Sequence, residues 1–123
     1  MFFLRSNCLW CGIDQAIHNE SLCQPCLNEL PWLNNICQYC ALPLATSNQN
    51  TCLTCLSYPA FNKTVAAFDY KQPINVWIKK LKFNNKLCYA KLLAKLLLKK
   101  LKIHYANHQL PKTILPIPLH NNR

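Results

Sequence analysis

The chain has 123 residues, nine cysteines, a single glycine and a formal net charge of +10. That length suits one domain or two small ones. With one glycine and four acids, it can form neither a glycine-rich phosphate loop nor a local pair of carboxylates for magnesium or acid–base work, so the chain by itself is not expected to be an enzyme. Met1 to Leu4 is apolar, but Arg5, Ser6 and Asn7 end it far short of a secretory h-region. No apolar run approaches the roughly 18 residues that a membrane span needs. The expected compartment is the reducing cytoplasm, where C-x-x-C pairs favour metal over disulfide.

The cysteines open the chain. Cys8, Cys11, Cys23 and Cys26 recur 29 residues later as Cys37, Cys40, Cys52 and Cys55, each set spaced C-x2-C-x11-C-x2-C. Four positions sharing one offset point to two copies of one small unit. Zinc takes four soft donors at tetrahedral corners, and a C-x-x-C turn supplies one edge of that tetrahedron. Two structural zinc ions are therefore expected, with no open coordination position. The repeat suggests that each copy closes its own site, with a cross-braced pairing as the alternative. Disulfides and a rubredoxin-like iron site are the competing readings of the cysteines. Gly12 suits the turn after Cys11, and the other three pairs lack a glycine there. Cys88 stands apart on an apolar helix and reads as a buried structural cysteine. His18 could compete as a ligand, whereas His104, His108 and His120 show no ligand spacing and read as surface residues.

Beyond Ser57-Tyr58-Pro59 the composition changes, dividing the chain into residues 1–60 and 61–123. Thr64 to Tyr70 is rich in β-branched and aromatic residues and predicts a strand. Pro73 suits the first turn of a helix, and Ile74, Trp77, Ile78 and Leu81 follow at helical spacing until Asn84-Asn85 breaks it. A second helix is predicted from Leu87 to about Tyr105. Its apolar face is Ala90, Leu93, Ala94, Leu97, Leu98 and Leu101, widened by Leu92 and Leu96, with Lys91, Lys95, Lys99 and Lys102 opposite. Thr113 to Leu119 predicts a short buried strand, placed at an edge or a strand end by its two prolines. Strand, helix, helix, strand begins an α/β layer without completing it. The apolar faces of both helices would leave the second part poorly soluble or self-associating unless the zinc units cover them.

Charge separates the same two parts. Residues 1–60 hold Arg5 against Asp14, Glu20 and Glu29, a net of −2, whereas residues 61–123 hold twelve lysines and Arg123 against Asp69, a net of +12. Eight thiolates with two divalent ions would take the first part to −6 and the whole chain to +6. A polyanion is therefore drawn to the second part and away from the zinc units. The candidate contacts are Lys79, Lys80, Lys82, Lys91, Lys95 and Lys99. The competing reading of these lysines is a solvated face on core helices. Trp77, Phe83, Tyr89 and Tyr105 lie near lysines and could stack on bases, although Trp77 falls on the apolar face and reads as core.

Taken in order, these features resemble the N-terminal half of the ComF family of competence-associated, phosphoribosyltransferase-like proteins. The resemblance rests on the C-x-x-C pairs, on Phe68-Asp69-Tyr70 ending a strand, and on Leu81-Lys82-Phe83 ending a helix. A long helix follows, and then Pro116-Ile117-Pro118-Leu119-His120 with Arg123 beyond it. It implies an α+β fold: a small double zinc ribbon over 1–60, then over 61–123 the first strand-helix-helix-strand part of an α/β phosphoribosyltransferase-like domain. The family continues into an Arg-Gly-aromatic-Asn segment and an acidic loop that grips phosphoribosyl pyrophosphate, and neither motif is in this sequence. The resemblance thus implies a ComF-like protein cut short, acting in natural transformation on incoming single-stranded DNA, with competence or recombination proteins as further partners. Only the zinc ligands carry over residue by residue; Lys82 and Arg123 match family positions without an assigned role. The alternatives are a free-standing zinc-ribbon adapter binding nucleic acid or a protein partner through its basic helices and, ranked last, an enzyme completed by a second chain.

Overall fold

The 29-residue repeat is a repeat of hydrogen bonds. In the computed structural model, which describes residues 7–14, 21–107 and 109–117, the Cys8 N–H donates to the Ile13 carbonyl at 2.9 Å and the Gly12 N–H to the Cys8 carbonyl at 2.9 Å. The second copy repeats these as Cys37 to Leu42 at 2.8 Å and Ala41 to Cys37 at 2.9 Å. Leu9 to Ser21 and Gln38 to Asn50 then tie each first turn to the segment leading into the second. Isolated antiparallel bridges, Asn7 with Asp14 and Ile36 with Pro43, close the two knuckles. Each copy ends in a five-residue helix, α1 (Gln24–Asn28) and α2 (Leu53–Ser57), with Cys23 and Cys52 at the respective N-caps.

Two longer helices follow as a packed hairpin, α3 (Ile74–Asn84) and α4 (Cys88–His104). Asn85 ends α3 in the left-handed region at φ 52°, a conformation that asparagine tolerates better than most residues. The predicted helices and the break between them are therefore present.

The core joins the first ribbon to this hairpin. Cys8, Leu22, Cys26 and Leu30 cluster with Ile74 and Trp77 of α3 and with Tyr89, Leu92 and Leu96 of α4. Trp77, 1% exposed, sits at the centre. Trp10, carried between the two cysteines of the first knuckle, meets its ring edge-on with centroids 6.1 Å apart, and Tyr89 stacks on it at 6.1 Å. The first zinc unit thus covers the apolar seam of the hairpin.

The second copy of the ribbon contributes none of its cysteines to that cluster. It is tethered by hydrogen bonds instead. The Thr64 hydroxyl donates to the carbonyl of Tyr39, the residue that corresponds to Trp10 in the repeat.

Four expectations change. Thr64 to Tyr70 forms only one bridge, Phe68 with Trp32, flanked by Asp69 N–H to Pro31 carbonyl at 2.9 Å and Leu33 N–H to Ala67 carbonyl at 3.0 Å. The ladder ends there because residues beyond Leu33 turn into the second ribbon and Thr64 is drawn to Gln38 and Tyr39. Thr113 to Ile117 is not a buried strand: Ile114, Leu115 and Ile117 are 86, 87 and 92% exposed, Pro116 offers no N–H, and Pro118 and Leu119 lie outside the described residues. The flanking strands of the expected α/β layer are therefore absent among the described residues, which hold isolated bridges only.

The buried stripe of α4 is Tyr89, Leu92 and Leu96, whereas Ala94, Leu97 and Leu98 are exposed. Spacing marks several apolar stripes on so leucine-rich a helix, and contact with Trp77 selects one of them. Cys88, at the first position of α4, is exposed rather than buried.

Trp77→Ala should cost about 3–5 kcal/mol, because the indole bridges ribbon and hairpin. Chemical denaturation followed by far-UV circular dichroism should show the loss, with helical signal melting before the second zinc unit is disturbed.

Candidate metal centre and basic face

The eight predicted ligands assemble into two groups of four, Cys8, Cys11, Cys23, Cys26 and Cys37, Cys40, Cys52, Cys55, with all sulfurs of a group within 4.8 Å of one another. Each copy closes its own site, so the sequential pairing holds and the cross-braced one does not. Zn–S bonds of about 2.3 Å at tetrahedral corners require sulfurs about 3.8 Å apart. The Cys11 and Cys23 sulfurs are 3.7 Å apart, as are those of Cys40 and Cys52. The donor set and its dimensions fit zinc, and the chain carries two structural zinc ions held by these eight thiolates. His18 lies outside the described residues.

Electrostatics explains why a cation belongs there. Burial pushes the Cys8 thiol up, but the backbone N–H groups of Cys23, Cys11 and Trp10 together outweigh it and bring it down to about 6. In the second site burial likewise raises Cys37, and the N–H groups of Cys52, Cys40 and Tyr39 bring it down to about 6. The last cysteine of each set goes the other way. Burial first, and then the crowding of three sulfurs, drives Cys26 far above an ordinary thiol and pushes Cys55 up to about 12. Without a divalent ion a site can bear one thiolate easily and four not at all. The backbone prepares the first negative charge, and the metal supplies the compensation for the others.

The knuckle turn shows what the sequence reading missed. Gly12 takes φ 75°, and its counterpart Ala41, exactly one repeat later in the numbering, takes φ 60°. The missing glycine does not change the geometry; alanine adopts the left-handed turn at a cost of roughly 1–2 kcal/mol. The 29-residue offset itself carried the signal.

The predicted polyanion contacts all reach solvent. Lys79, Lys80 and Lys82 lie on α3, where the Lys80 ammonium stands 5.7 Å from the centre of the Tyr89 ring. Lys91, Lys95 and Lys99 recur every four residues on α4 and make one exposed row, with about 6 Å of rise between successive members. Lys71 is paired with Asp69 at 2.7 Å. Of the proposed stacking aromatics, Trp77 and Tyr89 are core, Phe83 is exposed and Tyr105 is half-buried. His104 is half-buried on α4, and His108, His120 and Arg123 lie outside the described residues. Among the described residues no helix is long and apolar enough to cross a membrane.

The two sites should respond differently to ligand loss. Cys55→Ser should lower the zinc content from two ions per chain to one by native mass spectrometry while leaving α3 and α4 folded. Cys26→Ser should remove an ion and also unseat the hairpin, seen as a red shift of tryptophan fluorescence. Ala41→Gly should stabilise the second ribbon by about 0.5–1 kcal/mol, the relief of the left-handed alanine less the added chain entropy, read as slower zinc transfer to a chelator.

Residues 2–56 match the double zinc ribbon domain family. No curated protein and no solved structure matches the chain. The first part of this protein is thus a double zinc ribbon, with one structural zinc ion in each copy of the repeat.

Proposed function

We propose that this protein is a ComF-type double zinc ribbon protein that holds single-stranded DNA on its basic helical hairpin, with the zinc units serving as scaffold. The observation that carries this reading is the separation of charge. The ligand-bearing part is acidic once its thiolates and metal are counted, and the lysines are gathered beyond it, with Lys91, Lys95 and Lys99 aligned in one exposed row that flanks the buried stripe of Tyr89, Leu92 and Leu96 on α4. A lysine row beside the anchored face of a helix is a rigid electrostatic track, and single strands bind such tracks through their phosphates.

The resemblance to ComF supplies the setting: incoming single-stranded DNA during natural transformation, in the cytoplasm, in company with competence or recombination proteins. The same resemblance supports a phosphoribosyltransferase-like descent for residues 61–123. Its support is the order of Phe68-Asp69-Tyr70, Leu81-Lys82-Phe83 and the long helix.

A second reading has its own observation. Phe68, Tyr70, Ile74, Ile78, Leu93 and Leu97 line an open apolar groove of about 270 Å³, a surface on which an adapter could seat a protein partner.

Zinc-loaded protein should bind a labelled single-stranded oligonucleotide in fluorescence anisotropy, with affinity falling steeply as salt rises. Replacing Lys91, Lys95 and Lys99 together by glutamine should weaken binding at least about tenfold at low salt. It should also make the log–log salt slope shallower by about 2, the contribution of three phosphate contacts, with both zinc ions retained. Binding that ignores salt, or no binding, would remove this reading and leave the adapter.

A further inference from the structure

Between the ribbons and the last two turns of α4 lie two adjoining cavities that the lysine row does not account for. The first, of about 260 Å³, has Leu27, Trp32 and Ile103 as apolar and aromatic walls, the amides of Asn28 and Asn34, and Lys99 at its rim. The second, of about 240 Å³, is walled by Ile36 and Val65, with the Gln38 amide and Lys63. Asn34 and Lys100 line both. Neither lining contains an acid among the described residues, and each volume falls a little below the roughly 300 Å³ at which pockets for drug-sized molecules begin. Each therefore has room for a group of nucleobase size. Lys99, the last member of the Lys91–Lys95–Lys99 row, brings that row to the mouth of the first cavity.

Lys100 makes the pair of cavities more than a coincidence of surface shape. It continues the buried stripe of α4 one turn beyond Leu96, and its stem lies half-buried. Its ammonium donates to the Leu33 carbonyl at 2.6 Å, which fixes it on the wall that the cavities share. One such bond leaves two of its three N–H donors for other acceptors, and the ordering of the side chain is already complete before any ligand arrives.

We infer that this groove takes one dinucleotide step of a single strand: the phosphodiester on Lys100 at the shared wall, one base in each cavity, with the Asn34 amide facing the base edges, joined by the polar groups that Asn28 and Gln38 keep beside their bonds to Gln24 at 2.8 Å and Thr51 at 3.2 Å. The inference rests on the polyanion reading above and adds to it that the bases, and not only the phosphates, are held. It also predicts that a duplex, whose bases are stacked and paired, is excluded.

The test compares decathymidylate with an abasic spacer oligonucleotide of the same length and charge, on the zinc-loaded full chain. Wild-type protein should prefer decathymidylate by about tenfold or more, the scale of stacking one or two bases. Asn34→Glu, which places a carboxylate on the wall common to both cavities, should abolish that preference while binding of the abasic strand weakens far less. Retention of two zinc ions shows that the variant is folded. If Asn34→Glu loses zinc, Lys63→Glu combined with Ile103→Glu closes the same groove from two exposed positions and should give the same result. Equal affinity of wild type for the two strands, or an undiminished preference in the folded variant, overturns the groove and leaves the lysine track standing. Absence of binding to either strand overturns both.

Discussion

Four sulfurs brought within 4.8 Å of one another cannot all be thiolates unless a cation sits among them, and everything else in this protein depends on that constraint. The ribbons have little else to hold them. Their helices are five residues long and their strands are single bridges, far below what folds unaided in water. The N–H groups that bring Cys8 and Cys37 down to about 6 belong to the same turns that space the ligands, so metal capture and turn formation are one event.

The two copies share this chemistry and divide the other work. In the first, the residue between the cysteines of the knuckle is Trp10, and it is planted on Trp77. In the second the corresponding residue is Tyr39, which offers its carbonyl to Thr64. One copy is joined to the hairpin through apolar burial and the other through a hydrogen-bonded strap. Apolar burial is worth about 25 cal/mol per Å², and a hydrogen bond about 1 kcal/mol net. Folding of the hairpin is therefore coupled to the first metal far more strongly than to the second.

The sequence made the ligands, their pairing within each copy and both long helices legible, because cysteine spacing and helical periodicity are local patterns. It made the strands illegible. Thr64 to Tyr70 has strand composition, but a ladder needs a partner, and Trp32 supplies one residue of pairing before the chain turns away. Nor could spacing alone say which stripe of α4 is buried. Leucine occupies 92, 93, 96, 97, 98 and 101, and only Trp77 and the first ribbon decide for Leu92 and Leu96. Cys88 lies one turn before Leu92 on the same row, yet it is exposed, because α4 enters the core cluster only from Tyr89 onward. Ala41 shows the reverse case, a special backbone position written in the sequence by the repeat and overlooked because the residue was not glycine.

Lys100 explains how a buried stripe and a lysine-rich surface coexist on one helix. A lysine on the buried stripe would ordinarily destabilise it, since an ammonium without a partner does not belong against a core. Here the stem extends the apolar seam past Leu96 while the head reaches the Leu33 carbonyl at 2.6 Å, in the segment that connects the two ribbons. That single side chain joins α4 to the inter-ribbon linker and carries positive charge to the boundary between the zinc units and the hairpin. Residues 1–60 are net acidic. The positive charge that reaches their edge comes from the helix they support, so the first metal site, by holding α4, also holds Lys99 and Lys100 in place.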